Sequence, residues 1–188
     1  MVVSLLELFL EAGNLKRLPR TGWLLRGVPV PESIADHSFR TALMVLFLAD
    51  ELKAKGVEIN TEKAIRMAIL HDLAETRITD VPLTAQRYLD KGKGEREAFM
   101  EMLSSVGRRD LLSLFGEYEN ETSIEGRLVK FADRLEMLIQ AYEYEKAGFG
   151  DLDEFWGAVE KLRENELYMH FKDLLDGLVE LRKQKRLR

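Results

Sequence analysis

Of the 188 residues only three are histidine, so each can be weighed singly as a reactive or ligating side chain. His71 is followed at once by Asp72, within Ala68-Ile69-Leu70-His71-Asp72-Leu73-Ala74-Glu75. Ala64, Met67 and Ala68 precede His71 on its own helical stripe, an apolar face whose two small residues let a neighbouring helix approach closely. Glu75, four on from His71 and three on from Asp72, projects to the same side. A histidine and two acids thus converge at one helix end. His37 shares a stripe with Thr41, Met44 and Leu48 and is expected to face inward as well. Asp133 stands mid-helix in Val129-Lys130-Phe131-Ala132-Asp133-Arg134-Leu135, where a carboxylate is costly to bury without a partner. A divalent cation shared by His37, His71, Asp72 and Asp133 would supply one. Two imidazoles and two carboxylates suit Mn, Fe, Co, Ni or Zn, with Mg an option, and suit calcium poorly. An ion of that kind lowers the pKa of water and polarises a phosphorus centre. Each piece also has a plainer reading. A bare His-Asp pair is most often structural, His37 fits a satisfied histidine near a helix start, and Asp133 can pair with Lys130 at a helix surface. Spacing alone leaves the two readings level.

Positioning such groups falls to helices. Apolar spacing at three and four residues predominates, no stretch alternates with period two, and the expected fold is all-α. Ser4 to about Arg17 reads as an amphipathic helix with Leu5, Leu8, Phe9 and Ala12 on one face. Pro19, Gly22, Gly27, Pro29 and Pro31 mark an extended loop. Ser33 or Pro31-Glu32 starts a helix to about Lys55. Its apolar positions, from Ile34 through Phe39, Leu43 and Leu46 to Leu52, surround most of the circumference and predict a central, buried element. Asn60 or Thr61 caps a helix running through Glu75. Further helices are expected at 95–106, 109–115, 124–147, 152–165 and 169–185. The whole of 1–188 reads as a single domain, with the motifs in about 5–150 and further helices in 151–188.

Composition narrows the function. A net charge of -5 disfavours binding of polymeric nucleic acid. The absence of cysteine excludes disulfides, zinc–thiolate sites and thiol nucleophiles. The longest apolar run, Ala42 to Ala49, is far short of the roughly 20 residues a bilayer span needs, and the first residues lack the pattern of a signal peptide. A cytoplasmic protein without membrane partners is expected. The basic segment Arg182-Lys183-Gln184-Lys185-Arg186-Leu187-Arg188 reads as a solvated, fraying helix end.

The order His37, His71-Asp72, Asp133 resembles the HD-domain superfamily of metal-dependent phosphohydrolases. The likeness extends to Leu15-Lys16-Arg17-Leu18-Pro19-Arg20-Thr21-Gly22-Trp23 and Pro31-Glu32-Ser33-Ile34-Ala35-Asp36-His37-Ser38. It continues in His71-Asp72-Leu73-Ala74-Glu75, Thr79-Asp80-Val81-Pro82 and Lys130-Phe131-Ala132-Asp133-Arg134-Leu135-Glu136-Met137. Together these are similar to the 5'-deoxynucleotidase branch, the YfbR-like and HD-domain-containing protein 2 group. The resemblance implies a helical domain, a homodimer, and hydrolysis of deoxyribonucleoside 5'-monophosphates to nucleoside and phosphate. It also implies one divalent metal held by His37, His71, Asp72 and Asp133; with His170 the only spare histidine, a second site would be short of ligands. By the same likeness Glu75 and Asp80 are the acids near the reacting phosphate and Arg20 its phosphate-contacting arginine. Which acid activates water and which protonates the leaving oxygen stays open. Trp23 either walls in the sugar and base or anchors its loop on the core. The Arg20-Thr21-Gly22-Trp23 spacing departs from the adjacent Arg and Trp of some bacterial members and leaves base and sugar preference open. The competing readings are hydrolysis of another phosphoester, such as a nucleoside triphosphate or signalling nucleotide, and a non-catalytic nucleotide-binding module.

Overall fold

The computed structural model describes residues 2–186. Among them the chain forms α1 (Val2–Ala12), α2 (Thr21–Leu25), α3 (Ile34–Ala54), α4 (Thr61–Leu70), α5 (Glu75–Ile78) and α6 (Leu83–Gln86). These are followed by α7 (Lys91–Ser105), α8 (Leu112–Glu119), α9 (Ile124–Lys146), α10 (Ala158–Glu164) and α11 (Tyr168–Arg186), with short 3-10 turns at Gly13–Lys16, Arg109–Leu111 and Phe155–Gly157. The fold is all-α; the one extended pairing among the described residues is an isolated antiparallel bridge between Pro19 and Ser33. None of the described helices is long and apolar enough to cross a membrane.

The core forms where α3, α4 and α9 meet. Ser33 caps α3 in a reciprocal box with Asp36, Asn60 caps α4 through Lys63 N–H, and Ser123 caps α9 through Gly126 N–H. Each such cap contributes about 1 kcal/mol. Val45, Ala49 and Leu52 of α3 meet Ala64, Met67 and Ala68 of α4 and Leu128, Ala132 and Leu135 of α9 in one buried cluster. A second cluster, with Leu15, Ile34, Leu73, Phe99, Met102 and Phe115, packs α7 against the turn after α1, the start of α3, the turn after α4 and α8. Phe99, Phe131 and Leu135 are fully buried, and each such side chain is worth about 1.5–3 kcal/mol. Gly126 lets α8 lie directly on α9: a Cβ there would stand 2.5 Å from the carbonyl oxygen of Glu117.

Several expectations are corrected. α3 buries only one side; Phe39 and Phe47 are 71% and 62% exposed, so its apolar girth is not all core. Phe9, expected to share an inward stripe with Leu8, is likewise exposed. The helix expected to run through Glu75 ends at Leu70, because the backbone tightens to three-residue hydrogen bonds, Leu73 N–H to Leu70 O and Glu75 N–H to Asp72 O, both 3.0 Å. The first loop holds α2. α7 starts ahead of the expected Glu95 because the Asp90 carboxylate accepts from Lys93 N–H at 2.9 Å and offsets the two glycines of Lys91-Gly92-Lys93-Gly94. The basic end does not fray as far as Arg186: Arg182 bonds Glu145 at 2.7 Å and lies 4.2 Å over the Trp156 ring. Leu187 and Arg188 lie outside the described residues.

Candidate active site

His37 is delivered by the second turn of α3, His71 and Asp72 by the tight turn after α4, and Asp133 by the middle of α9. The three residues preceding His71 on its stripe, Ala64, Met67 and Ala68, are buried and seat it between helices. The imidazoles face one another, with His37 Nε2 and His71 Nε2 3.3 Å apart. Asp72 Oδ2 lies 3.2 Å from His71 Nε2 and 3.6 Å from His37 Nε2, and Asp133 Oδ1 lies 3.2 Å from His37 Nε2. Both histidines are committed on their far sides: His71 Nδ1 donates to Ala68 O at 2.7 Å, and His37 Nδ1 to the buried carboxylate of Glu136. As neutral imidazoles in those tautomers the two Nε2 lone pairs would point at each other, which is repulsive unless a proton or a metal cation lies between them.

Three donors, His37 Nε2, His71 Nε2 and Asp72 Oδ2, are gathered closely enough to share a divalent transition metal, while Asp133 reaches the cluster through His37 alone and stands at its edge. Adjacent ligand atoms around such an ion stand about 3 Å apart, close to the spacings here, and Asp72 Oδ2 is buried without a hydrogen-bond partner. The local field favours positive charge. Burial and Arg20 oppose protonation of His37, yet Asp133 and Glu136 outweigh them and the group is pushed up to about 10. Burial works against the Asp72 carboxylate, but His71, Arg20 and His37 hold its pKa below the usual range.

Around this cluster stand the residues of the first loop and of α5. Arg20 Nη1 is 3.5 Å from Asp72 Oδ2 and 3.9 Å from Asp80 Oδ1. Burial disfavours its charge, but Asp72, Asp80, Glu75 and Asp133 together raise its pKa further. Glu75 is fully buried, and burial first, then Asp72, push its carboxyl up to about 8 despite Lys91 and Arg20. Thr79, at φ 64°, turns the chain between α5 and Asp80; a β-branched residue there carries about 1–3 kcal/mol of strain. The turn sends Asp80 back to the first loop, where it accepts from Thr21 N–H while Thr21 Oγ1 donates to Asp80 O at 3.0 Å.

Trp23 does not face the site. It is 1% exposed, its ring lies 4.1 Å from that of Phe155, and its Nε1 donates to Glu32 Oε1 at 3.0 Å. An indole so enclosed has no face to offer a base; Trp23 is the loop's anchor, and its assignment to substrate is withdrawn.

Sequence patterns missed four residues. Tyr118 of α8 donates to Asp133 Oδ2 at 3.2 Å and packs edge-on against His71. Arg40 of α3 holds Glu136 at 2.7 Å, completing a chain from Arg40 through Glu136 to His37. Lys91 of α7 lies 3.0 Å from Glu75. The only signal for Glu136 and Arg40 was their helical register with Asp133 and His37, three residues on in each case. Tyr118 continues the stripe of Leu111, Leu114 and Phe115, which marks burial but no chemistry, and Lys91 sits among polar residues with no periodic mark. If Glu136 fixes the His37 tautomer, Glu136→Ala weakens binding of a divalent metal by about 10–100-fold. Calorimetric titration of the stripped protein measures this, and an unchanged affinity would show that His37 is held some other way.

A profile of the HD domain family matches residues 12–173. The chain is 36% identical over 163 residues to the 5'-deoxynucleotidase HDDC2 of Danio rerio, covering 84% of this chain and 78% of that protein. It is 38% identical over 146 residues to the 5'-deoxynucleotidase HDDC2 of Homo sapiens, covering 76% of this chain and 69% of that one. Among solved structures, a conserved hypothetical protein from Pyrococcus furiosus superposes with a TM-score of 0.88 at 49% identity, over 93% of this chain and 99% of that one.

Proposed function

The chain belongs to the HD domain family, and from that membership we propose that it hydrolyses deoxyribonucleoside 5'-monophosphates to deoxynucleoside and phosphate. The observation that carries this is the convergence of His37 Nε2, His71 Nε2 and Asp72 Oδ2, with Asp133 Oδ1 beside His37 and the guanidinium of Arg20 beside Asp72. His37, His71, Asp72 and Asp133 would hold one divalent transition metal. When bound, that ion supplies Lewis acidity toward a phosphoryl oxygen and makes water a stronger acid.

The protein's own groups do the rest. Arg20 takes phosphate oxygens in its planar fork. Its place among four acids keeps it charged and ready for a dianion. A carboxyl with a pKa near neutrality, as Glu75 has, takes a proton from attacking water and gives one to the departing O5'. Asp80, held by Thr21 and 3.9 Å from Arg20 Nη1, orients the water and keeps Arg20 in place. Glu136 and Tyr118 hold His37 and Asp133 in register. The test is phosphate release from dAMP, dGMP, dCMP, dTMP and their ribose counterparts, with stripped protein reloaded with Mn, Co, Mg or Zn. Metal-dependent release from the deoxy series, weaker from ribose, is expected. A release of pyrophosphate from triphosphates, with monophosphates inert, would replace the reading with another phosphoester reaction.

The active form is a homodimer joined through the outer face of α3. Phe39, Leu43 and Phe47 there, with Ile69 of α4, are exposed apolar side chains beside a cleft of about 360 Å³. Contiguous apolar surface of this kind marks an interface. Phe39→Glu with Phe47→Glu should halve the mass measured by light scattering; a wild type that already runs as a monomer would remove the dimer.

A further inference from the structure

Lys91 opens α7 in Lys91-Gly92-Lys93-Gly94, a stretch whose composition suits solvent. Its ammonium nevertheless lies 3.0 Å from Glu75 Oε1 and 3.1 Å from Glu95 Oε1, with only 24% of its side chain exposed. Glu95 is buried one turn along the same helix, and Asp90 caps that turn through Lys93 N–H. The lysine is therefore fixed at its base and tethered at its tip. Glu75 has its recorded side-chain hydrogen bond from this ammonium, while its Oε2 is buried with no partner. A carboxyl gripped by one oxygen presents the other.

We propose that Lys91 is a positioning residue for the hydrolysis, engaging Oε1 of Glu75 so that Oε2 is the atom that meets water and the leaving group. This rests on the role given to Glu75 above. Charged groups reach Glu75 from each side: Asp72 from the turn after α4, Arg20 from the first loop, Asp80 from the segment after α5, and Lys91 from α7. Removing Lys91 leaves Arg20 as the one cation of that set against two acids. Without Lys91 no side-chain donor fixes Oε1, and the carboxyl is free to turn either oxygen toward water.

The experiment compares metal-loaded Lys91→Met, Lys91→Arg, Glu75→Gln and the double variant Glu75→Gln/Lys91→Met. Lys91→Met should lower kcat about a hundredfold with KM changed by no more than about twofold. Lys91→Arg should restore much of the rate, and Lys91→Met should cost nothing further on the Glu75→Gln background. A further loss in the double variant, or a raised KM with kcat intact, would place Lys91 on the phosphate and overturn the proposal. Lys91→Met leaves the buried carboxyls of Glu75 and Glu95 without this partner, so if it melts early the comparison is carried by Lys91→Arg, which keeps the charge. A wild type silent toward every nucleotide would instead strike the proposed function, whereas an active wild type with a Lys91→Met variant of unchanged kcat would remove Lys91 alone.

Discussion

Glu75→Gln is expected to lower kcat by about two to four orders of magnitude while leaving metal content and helicity as they are. The amide matches the carboxyl in size and still accepts from Lys91, so packing around α5 is kept, but it neither takes nor delivers a proton. Stability gives an independent control. The fold raises the Glu75 pKa to about 8, above its value in the unfolded chain. The folded state thus holds that proton more tightly, and its contribution to stability is full below the ordinary carboxylate range and lost as the pH climbs through about 8. The glutamine variant is spared this loss and should melt no lower than the wild type at pH 8. Phosphate release under saturating nucleotide and a melting curve at two pH values measure both effects. Full turnover by Glu75→Gln would take Glu75 out of the chemistry.

The second large effect follows from removing the metal. Without a cation, Asp72 and Asp133 remain beside facing imidazole nitrogens 3.3 Å apart, and Arg20 stands as the nearest fixed positive charge. Chelation should therefore abolish phosphate release and also loosen the junction of α3, α4 and α9. An ion present at a hundred times its dissociation constant contributes about 2.7 kcal/mol, which for a chain of this length is a fall of about 5–10 °C in melting midpoint on stripping. Reloading should restore both. Elemental analysis before and after is the check, and activity that survives verified removal would show that the cluster serves another purpose.

The site was legible where helical register carried it. His37 and His71 each sit on an apolar stripe, and a mid-helix aspartate among apolar neighbours signalled an unmet electrostatic need at Asp133. Periodicity failed where the chain leaves the α-helical rise. Leu70-His71-Asp72-Leu73-Ala74-Glu75 contains no glycine or proline, so nothing in it announces the tightened turn that separates α4 from α5. α3 misled in another way, since an apolar residue reads the same whether it faces its own core or a partner's. Trp23 was open to two readings because loop residues have no period to fix their direction. Tyr118 depends on Gly126 permitting close contact between α8 and α9, and Lys91 depends on a cap that outweighs two glycines. The first effect is tertiary and leaves no local trace; the second is local, a cap at Asp90 masked by the glycines that follow it.

The short bridge between Pro19 and Ser33 has a consequence for how the phosphate is met. Ile34 N–H bonds Leu18 O at 2.9 Å, Arg20 N–H bonds Glu32 O at 3.0 Å, and Trp23 plugs the enclosed segment into the core. Arg20 is thus carried by a clasped ring of chain with few backbone rotations left to freeze. Under the role proposed for Arg20, little conformational entropy would remain to be surrendered when the nucleotide arrives, and the affinity of the guanidinium for phosphate would be realised almost undiminished. Opening the clasp would weaken substrate capture without touching a single group that contacts the substrate.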